Sequence, residues 1–284
     1  MGIEEANIKM NDRDQIISHY ASGYEAERLN AGTGQLELER TRELLIRFLP
    51  PPPATILDDG GGTGTHACWL ARKGYQVHMI DITPLHVEMA IAASSHQPEA
   101  PLASVSVGDA RSLSWEDETL DAVLMLGPLY HLTRREDRHL ALAEARRVLK
   151  RDGTLLGVGV SRFASTMDGL RAGFLKDPRF VDIMSQDIKN GHHHNPTGNP
   201  MYFMDTFFHH PDELRREVAE AGFRVEGIYG IEGPAWLAHD FDEWWSTPAL
   251  RDRLLNIARA LEAERTLSGI SAHIMAVAFK VSPP

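Results

Sequence analysis

Residues 56–64 read Ile56-Leu57-Asp58-Asp59-Gly60-Gly61-Gly62-Thr63-Gly64, and this stretch decides the fold of the chain. An apolar strand ends in acidic residues, glycines follow at every second position, and a helical segment then continues until Gly74. Glycine allows a sharp turn and lets a ligand approach the main chain, because no Cβ stands in the way. The first turn of the following helix offers unpaired N–H groups. The stretch therefore predicts a ligand-binding turn between a strand and a helix.

Composition restricts the class of protein. The 284 residues are 43% hydrophobic and 24% charged, which is ordinary for a globular protein with a sizeable core. Acidic residues outnumber basic ones by 40 to 29, and the formal net charge is −11. Non-specific binding to nucleic acid depends on many contacts between Lys or Arg and phosphate. The negative net charge therefore predicts no nucleic-acid partner.

Cysteine usage and hydropathy predict the compartment. The single cysteine, Cys68, allows no intrachain disulfide and fits a reducing environment. No apolar run approaches the roughly 20 residues that a membrane span needs. The first residues, Met1 to Glu5, lack the hydrophobic core of a signal peptide. We therefore expect a cytoplasmic protein with no membrane partner.

Strand and helix patterns alternate through the middle of the chain, which is typical of an α/β fold with a parallel sheet covered on both sides. Thr83-Pro84 is a cap residue followed by proline at the first helical position, and Thr133 to Glu136 has the spacing of a capping box. Residues 185–200 are polar and rich in Gly, Asn, His and Pro, and they predict a long loop. The predicted strands are Thr55–Asp58, Gln76–Asp81, Ala103–Val107, Asp121–Leu126, Thr154–Val160, Phe223–Gly230 and Ser271–Val281.

Polar features follow four of these strands at their carboxyl ends, the edge at which open α/β sheets bind ligands. The glycine turn follows the first strand. Asp81 closes the second, where a carboxylate can accept both hydroxyls of a ribose. Asp109 follows the third, where a carboxylate and the adjacent main-chain N–H can bind an adenine edge. Residues 126–131, Leu-Gly-Pro-Leu-Tyr-His, follow the fourth.

These residues resemble the class I S-adenosylmethionine-dependent methyltransferases of the small-molecule type. Residues 58–64 match the family's Asp-x-Gly-x-Gly-x-Gly motif, Asp81 its ribose-binding acid, and Gly108-Asp109-Ala110 its adenine-side motif. Family members often have Cys where this chain has Gly61, a difference that leaves the backbone argument intact. The resemblance covers about residues 54–160 and extends to the closing strands. It implies a Rossmann-like, seven-stranded, mostly parallel sheet with an antiparallel last strand and helices on both faces.

The sequence patterns also divide the chain, because helical spacing ends at Pro50 to Pro53 and the alternation of strands and helices covers residues 54–160. Residues 1–49 would form an N-terminal helical cap, 50–160 the cofactor-binding core, 161–210 a lid or substrate insertion, and 211–284 the C-terminal completion of the core. The implied cofactor is S-adenosyl-L-methionine, with S-adenosyl-L-homocysteine as its product. Asp58 would lie near the methionine amino group. The other predicted cofactor-binding residues are Gly60, Gly61, Gly62, Thr63, Asp81, Ile82, Asp109, Ala110, Leu126 and, from the cap, Tyr20.

An NAD(P)-dependent oxidoreductase is the alternative enzyme class. Residues 62–67, Gly-Thr-Gly-Thr-His-Ala, fit the Gly-x-Gly-x-x-Gly/Ala pattern of dinucleotide-binding folds, which also have an acid after the second strand. Three features favour S-adenosylmethionine over a dinucleotide as the ligand. They are Asp58 before the glycines, the turn at residues 108–110 and the two widely separated terminal strands. A non-catalytic adenosyl-cofactor-binding protein is a further alternative.

The methyl acceptor is predicted only as a class, an N or O atom of a small molecule, for which aromatic compounds and secondary metabolites are the candidates. In-line transfer from a sulfonium depends on positioning, and a base is needed only when the acceptor must lose a proton. His131 is the candidate base or substrate contact, and the alternative is a histidine that merely flanks a helix. Tyr130, Tyr202 and Phe203 are the other predicted substrate contacts, although the last two could simply pack the lid. A homodimer is left open.

Two histidine clusters, residues 192–194 and 209–210, invite a metal-binding interpretation. Adjacent histidines rarely face one ion, and no carboxylate or cysteine stands at a ligand spacing from them. We therefore predict no metal and interpret both clusters as parts of a solvated lid loop.

Overall fold

The computed structural model describes residues 28–281 and Ile17, and its centre is a mixed sheet. Tyr20 and its neighbour Tyr24, predicted to belong to the cap, lie outside the described residues. The strands are β1 (Thr55–Asp59), β2 (Gln76–Asp81), β3 (Ser104–Val107), β4 (Leu120–Met125), β5 (Leu149–Ser161), β6 (His192–His193), β7 (Thr206–His209), β8 (Phe223–Gly230) and β9 (His273–Lys280).

The helices cover both faces of the sheet. They are α1 (Gly34–Phe48), α2 (Thr65–Arg72), α3 (Pro84–Ser95), α4 (Pro128–His131), α5 (Arg135–Val148), α6 (Ala164–Ala172), α7 (Pro178–Asn190), α8 (Pro211–Glu220), α9 (Phe241–Ser246) and α10 (Pro248–Leu261). Short 3-10 turns cover Phe174–Lys176, Pro200–Tyr202, Gly233–Leu237 and Ser268–Ile270.

The sheet is mostly parallel and has an antiparallel last strand, as the resemblance implies. Strands β3, β2, β1, β4 and β5 lie side by side and are parallel. Strand β9 then pairs antiparallel with β5, from Thr154↔Phe279 to Val160↔His273, and β8 pairs antiparallel with β9. The carboxyl ends of the parallel strands therefore share one edge with the start of β9. The prediction of seven strands with an antiparallel last strand is confirmed.

Two short strands extend this edge beyond the prediction. Strand β7 continues parallel pairing along the end of β5 through Val160↔Phe208 and Ser161↔His209, and β6 pairs antiparallel with β7. All four residues of β7 are buried, so it has no polar–apolar alternation to mark it in the sequence. The insertion at residues 161–210 is thus joined to the sheet rather than lying over it as a loop.

Alternation within the strands builds one core on each face of the sheet. Ile56 and Leu124 pack on the face that carries α1 and α2, through side chains such as Leu44. Their neighbours Leu57 and Val123 pack on the opposite face with α5 and α8. All of these side chains are fully buried, and both faces of the central strands are therefore apolar, as parallel sheets require.

Two local predictions were wrong. Helix α5 begins at Arg135 with Arg134 in the cap position, so Thr133 is not the cap of a capping box. The expected loop from residue 185 begins later, because α7 continues to Asn190 and ends at Gly191, which has a positive φ of 78°. A capping box does occur at α8, where His210 accepts from the backbone and Glu213 supplies the reciprocal side chain.

Candidate active site

The carboxyl ends of β1 to β4 surround a cavity of about 170 Å³. Its walls contain every predicted cofactor-binding residue of the described chain, and Tyr20 alone lies outside that range. These residues are Asp58, Gly60, Gly61, Gly62, Thr63, Asp81, Ile82, Asp109, Ala110 and Leu126. The structure therefore brings together side chains that are up to 68 positions apart in sequence, Asp58 to Leu126. Their individual roles stay predictions.

The glycine turn depends on left-handed backbone conformations. Gly60 and Gly62 have φ values of 74° and 58°, which an L side chain rarely adopts. A Cβ at Gly60 would lie 2.7 Å from Pro128 Cγ, whereas a Cβ at Gly62 would meet no atom of residues 28–281 within 4 Å. The amides of Gly60 and Gly61 donate to Ile80 O at 2.9 and 3.1 Å, which fixes the turn against β2.

Gly61 is required for packing rather than for its dihedral angle. A Cβ here would lie 2.7 Å from Met79 Cγ and 2.9 Å from Asp58 Oδ2. A Cys at this position, common in the resembled family, would force one of these neighbours to move. The difference leaves the backbone argument intact, as expected, and its consequence lies in the packing around position 61.

Asp81 is held firmly at the end of β2. Its Oδ2 accepts from the amide of Gly62 at 2.9 Å, and its Oδ1 accepts from the amide of Thr83 at 2.8 Å and faces His86 Nδ1 at 3.2 Å. Burial raises the pKa of Asp81, but these hydrogen bonds outweigh burial and hold the pKa below its ordinary value. Asp81 is therefore an ionised acceptor whose position is tied to the glycine turn.

Asp58 is a buried carboxylate without a matching partner. Only 1% of the residue is exposed, and neither carboxylate oxygen has a hydrogen bond of normal geometry within residues 28–281. Burial, with a smaller contribution from Asp81, raises the pKa of Asp58 to about 7, while the backbone amide of Ala67 acts in the opposite direction. A buried, unpaired carboxylate is costly, so a cation entering the cavity would be strongly favoured.

Asp59 is a further buried acid of the cavity, and burial favours its neutral, protonated form. Burial raises its pKa well above the ordinary value, and Asp58, Asp109 and Asp81 raise it further. Asp109 itself is neutralised by Arg111, whose Nε and Nη2 donate at 3.0 and 2.7 Å. The described cavity walls carry five carboxylates but only one Arg or Lys, which is Arg28. This excess of acidic over basic side chains favours a cationic ligand over an anionic one.

A larger cavity of about 720 Å³ adjoins the first beneath the insertion. The two cavities share Arg28, Glu37 and Tyr130 as walls. His131, at the end of α4, lines the smaller cavity but not the larger one. The aromatic side chains around the larger cavity are Tyr130, Phe180, Tyr202, Phe203, Phe208 and Trp236. The geometry thus provides an aromatic chamber next to the site predicted for the cofactor.

Tyr202 and Phe203 both line this chamber, as predicted for substrate contacts, although no observation tests their role. The Tyr202 ring packs on Phe180 with centroids 4.8 Å apart, and its hydroxyl donates to Asp177 Oδ2 at 3.0 Å. Phe203 has a positive φ of 64°, an uncommon conformation for a bulky residue and a source of strain at functional sites.

The histidine clusters are not simply solvated. His193 is 3% exposed, its Nδ1 lies 2.9 Å from Asp187 Oδ2 and its Nε2 lies 2.6 Å from Tyr202 O. His209 is fully buried, with its Nε2 3.3 Å from Glu217 Oε2. Only His192 and His194 of the first cluster are exposed. The solvated-loop interpretation is therefore wrong for His193, which connects parts of the insertion, and for His209, which attaches the insertion to α8.

Sequence reasoning missed a polar network on the wall of the larger cavity. His273 Nδ1 lies 2.6 Å from Glu232 Oε1 and 3.7 Å from Glu37 Oε2. Ligand atoms of these three residues lie within 4.8 Å of one another, a spacing that could hold a metal ion. Arg28 Nη2 already donates to Glu37 Oε1 at 2.9 Å, however, so the arrangement is satisfied as a hydrogen-bond network. The residues come from α1, the turn after β8 and the start of β9, and no local motif connects them.

Comparison with known proteins agrees with the fold and the cavity. Residues 57–157 match the model of a methyltransferase domain family. A ubiquinone/menaquinone biosynthesis C-methyltransferase of Acidiphilium cryptum is 34% identical over 122 residues, 43% of this chain and 48% of that protein. A glycine/sarcosine N-methyltransferase of Aphanothece halophytica is 26% identical over 240 residues, 80% of this chain and 88% of that protein. A malonyl-[acyl-carrier protein] O-methyltransferase of Methylococcus capsulatus is 34% identical over 126 residues, 44% of each chain.

A solved structure shares the fold at low sequence identity. The magnesium protoporphyrin IX methyltransferase of Synechocystis, with S-adenosylhomocysteine bound, superposes with a TM-score of 0.60 at 13% identity, covering 95% of this chain and 100% of that one. Residues 57–157 are thus similar to a methyltransferase domain, which supports the predicted class I S-adenosylmethionine-dependent enzyme and its cofactor. The matches to the C- and O-methyltransferases span only about half of those proteins. No helix within the described residues is both long and apolar enough to cross a membrane.

Proposed function

We propose that this protein transfers the methyl group of S-adenosylmethionine to an N or O atom of a small molecule. The observation that carries the proposal is the buried carboxylate of Asp58, which has no hydrogen bond of normal geometry within residues 28–281, in a cavity bounded by the glycine turn, Asp81 and Asp109. The α-ammonium of the methionine portion would pair with Asp58, and the ribose hydroxyls would donate to Asp81. The adenine would lie against Ile82, with Asp109 and Ala110 at its edge.

The acceptor would occupy the larger cavity, which touches the smaller one at Tyr130 and Glu37. Relatives named as C-, N- and O-methyltransferases leave the acceptor atom open, and the relative with the broadest coverage is named for the nitrogen of glycine and sarcosine. His131 would lie beside the transferred methyl group, where it can orient the acceptor. The net charge of −11 argues against a nucleic-acid substrate.

Calorimetry tests the cofactor directly. We expect S-adenosylmethionine and S-adenosylhomocysteine to bind with one site per chain, and NADH and NADPH not to bind. Binding of a nicotinamide nucleotide without binding of either adenosyl compound would assign the chain to the oxidoreductases instead. Transfer of a tritiated methyl group to a panel of amines and phenols tests catalysis. Cofactor binding with no transfer to any of them would favour the non-catalytic alternative.

A further inference from the structure

The start of β9 carries a histidine whose two ring nitrogens have different surroundings. His273 Nδ1 lies 2.6 Å from Glu232 Oε1. His273 Nε2 makes no hydrogen bond to any of residues 28–281, and the residue lines the larger cavity. A carboxylate that accepts from Nδ1–H fixes the tautomer in which Nε2 is the basic atom. The basic nitrogen of His273 is therefore available on the cavity side.

Glu232 is itself fixed by its neighbours. It is 2% exposed, and its Oε2 accepts from Ser271 Oγ at 2.7 Å and from the amide of His273 at 3.0 Å. The same Ser271 hydroxyl lies 3.0 Å from the amide of Glu232, so the turn after β8 and the start of β9 are locked together. His273 consequently has a rigid orientation, which positioned proton transfer requires.

The location of His273 matches that of an acceptor group. It pairs with Val160 at the end of β5, so it lies at the ligand-binding edge of the sheet. Its ring centroid is 6.5 Å from that of Tyr130, one of the side chains shared by both cavities. Aromatic side chains form much of the remaining wall, and such a chamber suits a flat, aromatic ligand.

We infer that His273, oriented by Glu232, accepts the proton of a phenolic hydroxyl in the acceptor. This inference rests on the proposed function and specifies its substrate class as aromatic alcohols. The O–H proton passes to His273 Nε2 while the oxygen lone pair forms the new O–CH3 bond. The pair of electrons in the breaking C–S bond remains on sulfur, and the imidazolium later releases its proton to water. His131 then has a positioning role, and His273 is the base.

The charged groups around His273 define its pH dependence. Burial lowers the pKa of His273, but Glu37 and Glu232 outweigh burial and Arg28, and the pKa rises to about 8. Proton acceptance requires the neutral imidazole, so the base function should increase as the pH rises through about 8. Nuclear magnetic resonance of 15N-histidine protein, without cofactor, should show this titration and a neutral form protonated on Nδ1. Glu232→Gln should lower the pKa.

4-Nitrophenol is a suitable probe because its phenolate absorbs visible light. With protein saturated in S-adenosylhomocysteine, we expect saturable binding and an increased phenolate band. His273→Asn should weaken binding roughly tenfold or more and remove the increase, since a hydrogen bond to a charged group is lost. Glu232→Gln, which retains the imidazole, should reduce the phenolate fraction less. His192→Asn, a change at an exposed histidine outside both cavities, is the matched control and should behave as wild type.

The outcomes separate the two proposals. Calorimetry with S-adenosylhomocysteine on each variant reports the cofactor site, and its failure in the wild type would overturn the proposed function. Normal cofactor binding without saturable 4-nitrophenol binding would overturn the inference alone. An unchanged phenolate band in a folded His273→Asn variant would also overturn it, and if the band were lost in His131→Asn instead, His131 would be the base.

Discussion

The carboxylate of Asp81 accepts a hydrogen bond from the amide of Gly62 at 2.9 Å, so the end of β2 holds the glycine turn of β1 in place. A single side chain therefore shapes the turn and presents an acceptor to the cavity. Its other oxygen is fixed by the amide of Thr83 at 2.8 Å. The geometry of the predicted ribose site and that of the predicted methionine site are coupled through this residue.

Asp81→Ala should weaken binding of S-adenosylhomocysteine by roughly 1.5–3 kcal/mol or more, the usual worth of hydrogen bonds to a charged group. The loss combines the missing ribose acceptor with a loosened glycine turn. Calorimetry measures it, and Glu88→Gln is the control, because Glu88 is exposed on the adjacent helix α3. Equal affinities in wild type and Asp81→Ala would remove Asp81 from the cofactor site.

Asp58 should reduce the stability of the ligand-free protein as the pH rises. Its folded-state pKa of about 7 exceeds the ordinary 3.8, so the folded state binds the extra proton and loses stability between about pH 4 and pH 7. A difference of about three pH units corresponds to about 4 kcal/mol at most. Asp58→Asn should therefore raise the free energy of unfolding at pH 8 relative to wild type, with little effect at pH 4.

Urea denaturation at both pH values measures this effect, with Asp117→Asn, a change at an exposed acid, as the control. The same Asp58→Asn variant should bind S-adenosylmethionine more weakly, because the ammonium loses its carboxylate. A variant that is less stable than wild type at pH 8 and binds the cofactor normally would contradict the assignment of Asp58.

Gly62→Ala should impair cofactor binding more than folding. Its φ of 58° costs an L residue about 1–2 kcal/mol, but within the described part of the chain no atom lies within 4 Å of the added Cβ, which borders the cavity. Gly173→Ala is a matched control, since Gly173 has a φ of 76°, open space around its Cβ and no place in either cavity. Similar melting temperatures with a selective loss of S-adenosylhomocysteine binding in Gly62→Ala are expected. Equal binding in the two variants would show that the ligand does not approach Gly62.

Glu217 should be essential for the stability of the insertion. Arg138 is 1% exposed, donates to Glu217 at 2.7 and 2.8 Å, and lies 3.7 Å over the ring of Phe207 in β7. Glu217→Ala leaves this guanidinium buried without its carboxylate, although Nη1 still donates to two backbone carbonyls, and the loss should cost about 3–5 kcal/mol. Glu220→Ala, a change at an exposed residue of the same helix, should cost at most about 1 kcal/mol.

The same residue predicts acid sensitivity. Burial raises the pKa of Glu217, but hydrogen bonds from Arg138 and His209 and their charges lower it to about 2. Its stabilisation is therefore complete above the ordinary pKa of 4.5 and is lost as the pH falls from there towards 2. Thermal denaturation between pH 3 and pH 6 should show a steeper loss in wild type than in Glu217→Ala. Parallel curves would contradict this role.

The fold and the cofactor cavity could be predicted because their signals are local. The glycines Gly60 and Gly62 indicate a turn with left-handed backbone conformations. Asp81 and Asp109 each follow an apolar run, which indicates the end of a strand. Strand β7 could not be predicted in this way, because its short, fully buried run is stabilised by pairing with a strand some 45 residues earlier, Val160↔Phe208 among others. The Glu37–Glu232–His273 network could not be predicted from the sequence either, because its members come together only when β9 pairs antiparallel with its neighbours.

The negative character of the smaller cavity bears on how the protein would complete a catalytic cycle. Methyl transfer removes the positive charge of the sulfonium. The product therefore carries one positive charge fewer than the cofactor, and the carboxylates of the cavity attract it less strongly. We expect S-adenosylhomocysteine to bind more weakly than S-adenosylmethionine, and calorimetry measures the ratio of their dissociation constants. The carboxylates that attract the methyl donor would then also speed departure of the spent molecule, leaving the protein little subject to inhibition by its own product.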